Sequence, residues 1–216
     1  MDAGIVIVGA GETGARAAAA LRESGFDGAV TLVGDEEHRP YERPPLSKAV
    51  MHAEGEPAVP HIAHALRFDE LEIAHETGAR AVAIDRGGKL LKLADGTIIP
   101  YGTLLIATGA KPRKLAIPGG DALLYLRTFA DALALRAHLE PGRRLAIIGG
   151  GFIGREIAAS ARQRGCDVTV IEAAPRILMR GVPAEIADIV AARHRTEGVT
   201  IFTGVGLARL EKRDGG

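Results

Sequence analysis

Residues 4–21 read G-I-V-I-V-G-A-G-E-T-G-A-R-A-A-A-A-L, and the spacing of their glycines decides the fold. Ile5-Val6-Ile7-Val8 is a short apolar run that predicts a strand. Gly9, Gly11 and Gly14 follow at G-x-G-x-x-G spacing. An alanine-rich helix is predicted over 12–23, ended by Ser24-Gly25. Val30-Thr31-Leu32-Val33 supplies a second strand, so the whole is a βαβ unit with a glycine turn at its strand-to-helix corner. Each glycine has a physical task in such a corner. Gly9 permits the tight turn, Gly11 lets backbone approach a pyrophosphate, and Gly14 lets helix and strand pack closely. The helix start behind them offers unpaired N–H groups and partial positive charge to phosphates.

The same design returns later in the chain. Arg144-Leu145-Ala146-Ile147-Ile148 predicts a strand, and Gly149, Gly151 and Gly154 form a second G-x-G-x-x-G with Phe152 and Ile153 inside it. An amphipathic helix over 156–163 and a strand at Val168-Thr169-Val170-Ile171 complete that unit. Two fingerprints in correct context predict two nucleotide sites. The fold class that follows is α/β, with two Rossmann-like, three-layer nucleotide-binding domains. Between them lie short runs at 80–84, 90–93 and 97–99, separated by Asp85-Arg86-Gly87-Gly88 and Asp95-Gly96 turns, which predict a small antiparallel β insertion.

The two units differ in their acids. An acid at the end of the second strand accepts hydrogen bonds from a ribose. In the first unit Gly34 stands there, which leaves Asp35 or Glu36 for the task, or an acidic turn in solvent. In the second, Glu172 follows the strand directly. A carboxylate there favours NADH, because a 2′-phosphate would face like charge. Arg176 and Arg180 are the residues that argue for NADPH instead.

Three other stretches attract notice. Leu104-Leu105-Ile106-Ala107 reads as a strand buried on both faces, ending at Thr108-Gly109-Ala110, where ligands of open α/β sheets sit. Arg39-Pro40-Tyr41-Glu42-Arg43-Pro44-Pro45-Leu46-Ser47-Lys48 is stiffened by its prolines. It either delivers Lys48 to a cofactor or connects surface elements, and Ser47 is placed to cap a short helix through Met51. Residues 53–76 predict loop and irregular helix. His61 and His64 stand there at i, i+3, but no third ligand matches their spacing, so solvated histidines are expected rather than a metal site.

Composition excludes several classes. Hydrophobic residues make up 47% and charged residues 25% of the 216, as in an ordinary globular chain with a real core. Lys plus Arg and Asp plus Glu number 27 each, so no basic face marks a nucleic-acid or anionic-membrane partner. Met1-Asp2-Ala3-Gly4 leads straight into the first strand, and no apolar run reaches about 18 residues. Neither a secretion signal nor a membrane span is expected. Cys166 is the single cysteine, which excludes a redox-active cysteine pair and fits a reducing cytoplasm.

With these residues laid out, residues 4–48 resemble the start of the NADH-dependent ferredoxin reductases of bacterial oxygenase systems, relatives of putidaredoxin and rhodocoxin reductases. The stretches L-L-I-A-T-G-A-K-P-R (104–113), Y-L-R-T (125–128) and L-A-I-I-G-G-G-F-I-G-R-E-I-A-A-S (145–160) match that family in order and spacing. The resemblance implies a flavoprotein with FAD on the first fingerprint and NADH on the second. It divides the chain into an FAD-binding segment, 1–110, and an incomplete NAD-binding domain, 111–216. Gly9, Gly11 and Gly14 would cradle the FAD pyrophosphate, with Asp35, Arg43, Lys48, Val82, Thr108, Gly109 and Arg127 completing the contacts. Gly149, Gly151, Ile153, Gly154 and Glu172 would hold NADH.

By the same resemblance Lys48 and Glu156 form a pair beside the flavin N5, where a lysine favours the negative charge of reduction and itself needs a carboxylate partner. Phe152 would stand at the nicotinamide entry. Read without the family, Glu156 is a first-turn acid favoured by the helix dipole and Phe152 is core. The loop 42–47 holds no thiol, unlike the corresponding segment of glutathione and lipoamide reductases. Electrons would therefore leave singly, to a [2Fe–2S] ferredoxin. The alternatives are a nucleotide-binding fragment without turnover, or an NADH oxidase-like or apoptosis-inducing-factor-like enzyme with another acceptor. Two departures stand out: Arg155 replaces the usual apolar residue before Glu156, and the family's second flavin-binding Gly-Asp motif and C-terminal domain are expected beyond Gly216.

Overall fold

A computed structural model describes residues 4–211. The reading of Met1 to Ala3 lies outside the described residues. The chain divides into two compact units. One comprises the residues up to Glu42 together with Val59–Lys111, the other Arg43–Ala58 together with the chain from Pro112 onward.

In the first unit, β1 (Ile5–Val8), α1 (Glu12–Glu23) and β2 (Val30–Val33) form the expected βαβ corner. β1 pairs in parallel with β2, Ile5 opposite Val30. β3 (Ile73–Glu76) extends the sheet beyond β2. β4 (Ala81–Asp85), β5 (Leu90–Leu93) and β6 (Ile98–Pro100) form the separate antiparallel sheet that the Asp-Gly turn predicted. β7 (Thr103–Ile106) returns to pair with the free side of β1, giving the parallel order β3-β2-β1-β7.

Alternation along β1 then builds three layers. Ile7 points to one face, where it is buried with Leu32, with Ala15 and Ala18 of α1, and with Ile62, Ala65 and Phe68. Val6 and Val8 point to the other, against Leu91 and Leu93 of the antiparallel sheet and against Tyr101, which follows it. Alanine on the inner side of α1 sets this spacing, because any longer side chain would hold the helix off the strand.

Two expectations for this unit change. Residues 53–76 contain β3, which the sequence leaves irregular: Ile73-Ala74-His75-Glu76 is short, and only Ile73 is both apolar and buried. β7 is a strand as predicted but is not buried on both faces. It is the edge of its sheet, and Ile106 is 61% exposed.

The second unit opens with a 3-10 turn at Pro44–Ser47 and the short helix α2 (Ala49–His52). Lys48, not Ser47, occupies the N-cap position of α2, so the expected serine cap is not made. α3 (Phe129–Arg136) was not foreseen. It starts on a capping box in which Thr128 Oγ1 accepts the Asp131 N–H at 3.0 Å and Asp131 accepts the Thr128 N–H at 2.8 Å. β8 (Arg144–Ile148), α4 (Phe152–Gln163) and β9 (Asp167–Glu172) repeat the βαβ corner of the first unit. α5 (Ala184–Thr196) and β10 (Thr200–Thr203) follow, and the parallel order is β10-β9-β8. β8 therefore lacks, among the described residues, the second neighbour that β7 provides for β1. Among the described residues, no helix is long and apolar enough to cross a membrane.

Candidate functional site

The first glycine turn is built by backbone that leaves room in one place only. Gly9 has φ +113, and a Cβ there would lie 2.2 Å from the Ala107 carbonyl oxygen. A Cβ on Gly14 would lie 2.0 Å from the Gly9 oxygen. Gly11 alone faces open space, with nothing within 4 Å of a Cβ. The outer two glycines are thus required by packing, and the middle one leaves a cradle that a phosphate group fits. Gly11 is also the N-cap position of α1 and makes no side-chain cap, so the helix start keeps its N–H groups for a ligand.

Neighbouring elements close on this turn. The backbone of Ala107 and Thr108 abuts Gly9, which brings the exposed Thr108-Gly109 turn beside it. A Cβ on Gly34 would lie 2.5 Å from the Ala10 Cβ. That approach explains why glycine holds the position an acid usually takes and why the acids come later. Asp35 is exposed, whereas Glu36 is half-buried and accepts the Tyr41 hydroxyl. Val82 stands exposed on β4.

The second turn has the same logic with one difference. A Cβ on Gly154 would lie 2.1 Å from the Gly149 oxygen, and one on Gly151 would meet nothing within 4 Å. Gly149, with φ +104, also meets nothing, because among the described residues no strand lies on that side of β8. α4 begins at Phe152, a turn earlier than predicted, so Phe152 and Ile153 belong to its first turn and are exposed. Glu172 ends β9 and reaches back to the turn, its Oε2 accepting the Gly150 N–H at 2.6 Å and its Oε1 the Ala174 N–H at 2.8 Å. Beside β8 and the start of α4 lies an apolar cavity of about 820 Å³, lined by Leu126, Leu145, Ile147, Phe152 and Ile157 among others.

A smaller cavity of about 280 Å³ gathers most of the remaining candidates of this unit: Arg43, Lys48, Arg127, Phe152, Ile153 and Glu156. Lys48 Nζ lies 3.0 Å from Glu156 Oε1, and the Ser47 hydroxyl donates to Glu156 Oε2 at 2.6 Å. Desolvation alone would raise the Glu156 pKa. The hydrogen bonds from Ser47 and Lys48, with the charges of Lys48 and Arg155, outweigh it and hold the carboxyl below its ordinary value. Arg43 donates to the Arg127 carbonyl at 2.9 Å. The Arg127 and Thr128 N–H groups both go to Asp131, so the capping box fixes Arg127 at this cavity.

Arg155 lies over the Phe152 ring, 5.6 Å from its centroid, and a Cβ on Gly181 would be 2.5 Å from Phe152 Cε2. A guanidinium thus lies over the ring and a glycine meets its edge. Sequence reasoning missed Ser47 as a partner of Glu156, although serine beside lysine in a proline-fixed loop was the available signal. It also missed Asp131, for which the Thr-x-x-Asp spacing of the cap was the signal.

Comparison with known proteins places the chain in a family. Residues 3–215 match the pyridine nucleotide-disulphide oxidoreductase family. The ferredoxin–NAD(+) reductase component of the p-cumate 2,3-dioxygenase system of Pseudomonas putida is 44% identical over 220 residues, covering 98% of this chain and 54% of that protein. The crystal structure of the ferredoxin reductase for the CYP199A2 system from Rhodopseudomonas palustris superposes with a TM-score of 0.93 at 38% identity, over 99% of this chain and 53% of that one. The reductase chain matched in the covalent putidaredoxin reductase–putidaredoxin complex gives a TM-score of 0.89 at 36% identity, over 98% and 52%. The chain spans about half the length of the relatives it matches.

Proposed function

The chain belongs to the pyridine nucleotide-disulphide oxidoreductase family, and on that footing we propose that it passes electrons from NADH by way of FAD to a [2Fe–2S] ferredoxin, as the reductase of an oxygenase-type system. The observation that carries this reading is the Lys48–Glu156 pair, with no cysteine in the loop that carries Lys48 to compete for the electrons. The names and structures of the relatives support the acceptor: they are ferredoxin reductases, one of them joined to its putidaredoxin.

We assign FAD to the turn of Gly9, Gly11 and Gly14, whose open middle glycine fits a pyrophosphate, with Asp35, Val82, Thr108 and Gly109 lining its approach and Arg43 and Arg127 as further contacts. NADH is assigned to Gly149, Gly151, Ile153 and Gly154, with Glu172 for its ribose and Phe152 at its nicotinamide end. FAD, when bound, supplies the capacity to accept electrons as a hydride pair and to release them one at a time. Lys48, held by Glu156, contributes positive charge that favours flavin reduction. Glu156 stays ionised to hold it, and Phe152, exposed beneath the Arg155 guanidinium, stands at the nicotinamide end. The residue-by-residue assignment and the division into an FAD segment, 1–110, and an NAD segment, 111–216, are part of this proposal. A cytoplasmic setting agrees with Cys166, a fully buried free thiol.

The test is direct. Purified protein titrated with FAD should show flavin absorbance at one per chain, and NADH should then reduce a [2Fe–2S] ferredoxin or a one-electron dye. One observation favours a second reading, a nucleotide-binding chain without turnover: among the described residues the edge of β8 is unpaired where its counterpart β1 is covered. Bound flavin without any NADH-driven reduction of ferredoxin, dye or dioxygen selects that reading, and reduction of dioxygen but not ferredoxin selects an oxidase.

A further inference from the structure

We propose that Ser47 is the positioning residue of the Lys48–Glu156 pair, holding the carboxylate plane of Glu156 while Ser160 and His52 hold Ser47 in place. The role in electron transfer rests on the function proposed above; the positioning itself does not.

Among the described residues the polar side chains that are buried are two serines, Ser47 at 4% and Ser160 at 2% exposure. Burying a hydroxyl is unfavourable unless it is hydrogen-bonded. Both are bonded, and to one another's surroundings. Ser160 stands among alanines on α4, Ala158, Ala159 and Ala161, where a further alanine would fit the helix as well. Its hydroxyl donates to the Ser47 carbonyl at 3.1 Å. That commits its single hydrogen, so the 3.0 Å contact with His52 Nε2 is one in which the imidazole N–H donates to Ser160 Oγ. The network thereby assigns the proton to His52 Nε2.

Ser47 Oγ donates to Glu156 Oε2 at 2.6 Å, and the rival acceptor, the Pro44 carbonyl at 3.4 Å, is too distant to compete. Lys48 Nζ takes Glu156 Oε1 at 3.0 Å. Consecutive residues of one proline-stiffened segment therefore engage the two oxygens of one carboxylate. Lys48 is half exposed and flexible, so on its own it fixes neither the rotamer of Glu156 nor its own. The neutral serine is the rigid half of the clamp. In agreement, the Ser47 hydrogen bond is the largest single influence that lowers the Glu156 pKa against desolvation, ahead of the hydrogen bond from Lys48.

The experiment is a carboxyl ¹³C NMR titration of Glu156, assigned with Glu156→Gln, in the parent chain, Ser47→Ala and Ser47→Thr. The Ser47→Ala midpoint is expected to rise by about one pH unit, the size of a hydrogen bond to an ionised group. Ser47→Thr keeps the hydroxyl and should restore the parent value, which a purely structural role would not distinguish. An unchanged Glu156 midpoint in Ser47→Ala, with an intact amide spectrum, overturns the proposal. Should Ser47→Ala fail to fold, Ser47→Cys, with its weak donor, carries the same test: a rise supports the proposal and no rise overturns it. The titration needs no cofactor. Failure of the parent to bind FAD or to oxidise NADH would therefore count against the electron-transfer reading alone.

Discussion

Glu172 Oε2 accepts the backbone N–H of Gly150 at 2.6 Å, which ties the end of β9 to the middle of the glycine turn that opens α4. The acid proposed to select the nucleotide is thus also a structural tether, with its second oxygen on Ala174. Arg176, the nearest residue that argued for a 2′-phosphate, turns inward instead. Its guanidinium donates to the carbonyls of Ile177, Leu178 and Val182, among others, and so holds its own loop.

Glu172→Ala should therefore act on both levels. We expect NADH affinity to fall about tenfold or more, the loss of one or two hydrogen bonds to a charged acceptor. The preference over NADPH should narrow as like-charge repulsion is removed. Freed Gly150 and Ala174 N–H groups should also lower stability by about 1–3 kcal/mol. Nucleotide titrations and thermal melts on the same preparation check the two effects. An unchanged NADH to NADPH ratio would remove Glu172 from its assigned role.

The glycines allow folding to be separated from binding. In Gly14→Ala and Gly154→Ala the new Cβ meets a backbone oxygen at 2.0 and 2.1 Å, which no side-chain movement relieves. Overpacking of this kind should cost about 1–3 kcal/mol or more. Gly11→Ala and Gly151→Ala place their Cβ in open space, so their melting temperatures should stay near the parent's. FAD binding should then be lost in Gly11→Ala and NADH binding in Gly151→Ala. Full cofactor binding in both stable variants would show that the turns serve packing alone.

Where local pattern and tertiary demand coincide, the fold is legible in sequence. Both βαβ corners are, because their apolar runs and glycine spacing agree. β3 is not, because its pairing with β2, Val30 opposite Ile73, is set by the sheet and not by its own four residues. The burial of β7 is misjudged for the reverse reason: an apolar run reports a strand, but its place at an edge is a matter of topology. Gly34 is similar, since only the approach of Ala10 explains it. In the site, residue types such as Lys48 and Glu156 are legible through family resemblance. Ser47 is not, because a serine hydroxyl is as often a cap as a partner, and the choice rests on a helix far along the chain.

Arg155 offers a test of a local departure. Its guanidinium is half-buried, its Nε has no hydrogen-bond partner, and burial lowers its pKa while Glu156 resists that shift. Its compensation is the stacking over Phe152. Replacing it by leucine removes an unsatisfied buried donor, and Arg155→Leu should raise stability by about 1 kcal/mol. The Phe152 ring, without the guanidinium over it, should become more mobile, and NADH should bind more weakly. Aromatic relaxation measurements on Phe152 and thermal melts decide this, and a large loss of stability would contradict it.

His75 should govern the acid side of the stability curve above the carboxylate range. It sits on β3 opposite Leu32, its ring edge-on to Phe68 at 5.9 Å, and its buried Nε2 has no partner. Burial, and then the charge of Arg39, lowers its pKa. The sign follows from proton binding. Below about pH 6.5 the unfolded chain takes up a proton on this imidazole that the folded chain refuses, so acid favours unfolding. The stability is complete above the unfolded value and is lost as pH falls from there toward the folded one. His194, lowered by burial and then by Arg155, adds a slope of the same sign. Melts of the parent between pH 7.5 and 5.5 should thus decline steadily. His75→Leu should decline less, and His75→Leu with His194→Leu least of all. Parallel slopes in parent and double variant would place the acid sensitivity elsewhere, in carboxylates such as Glu156 whose contribution is lost only at lower pH.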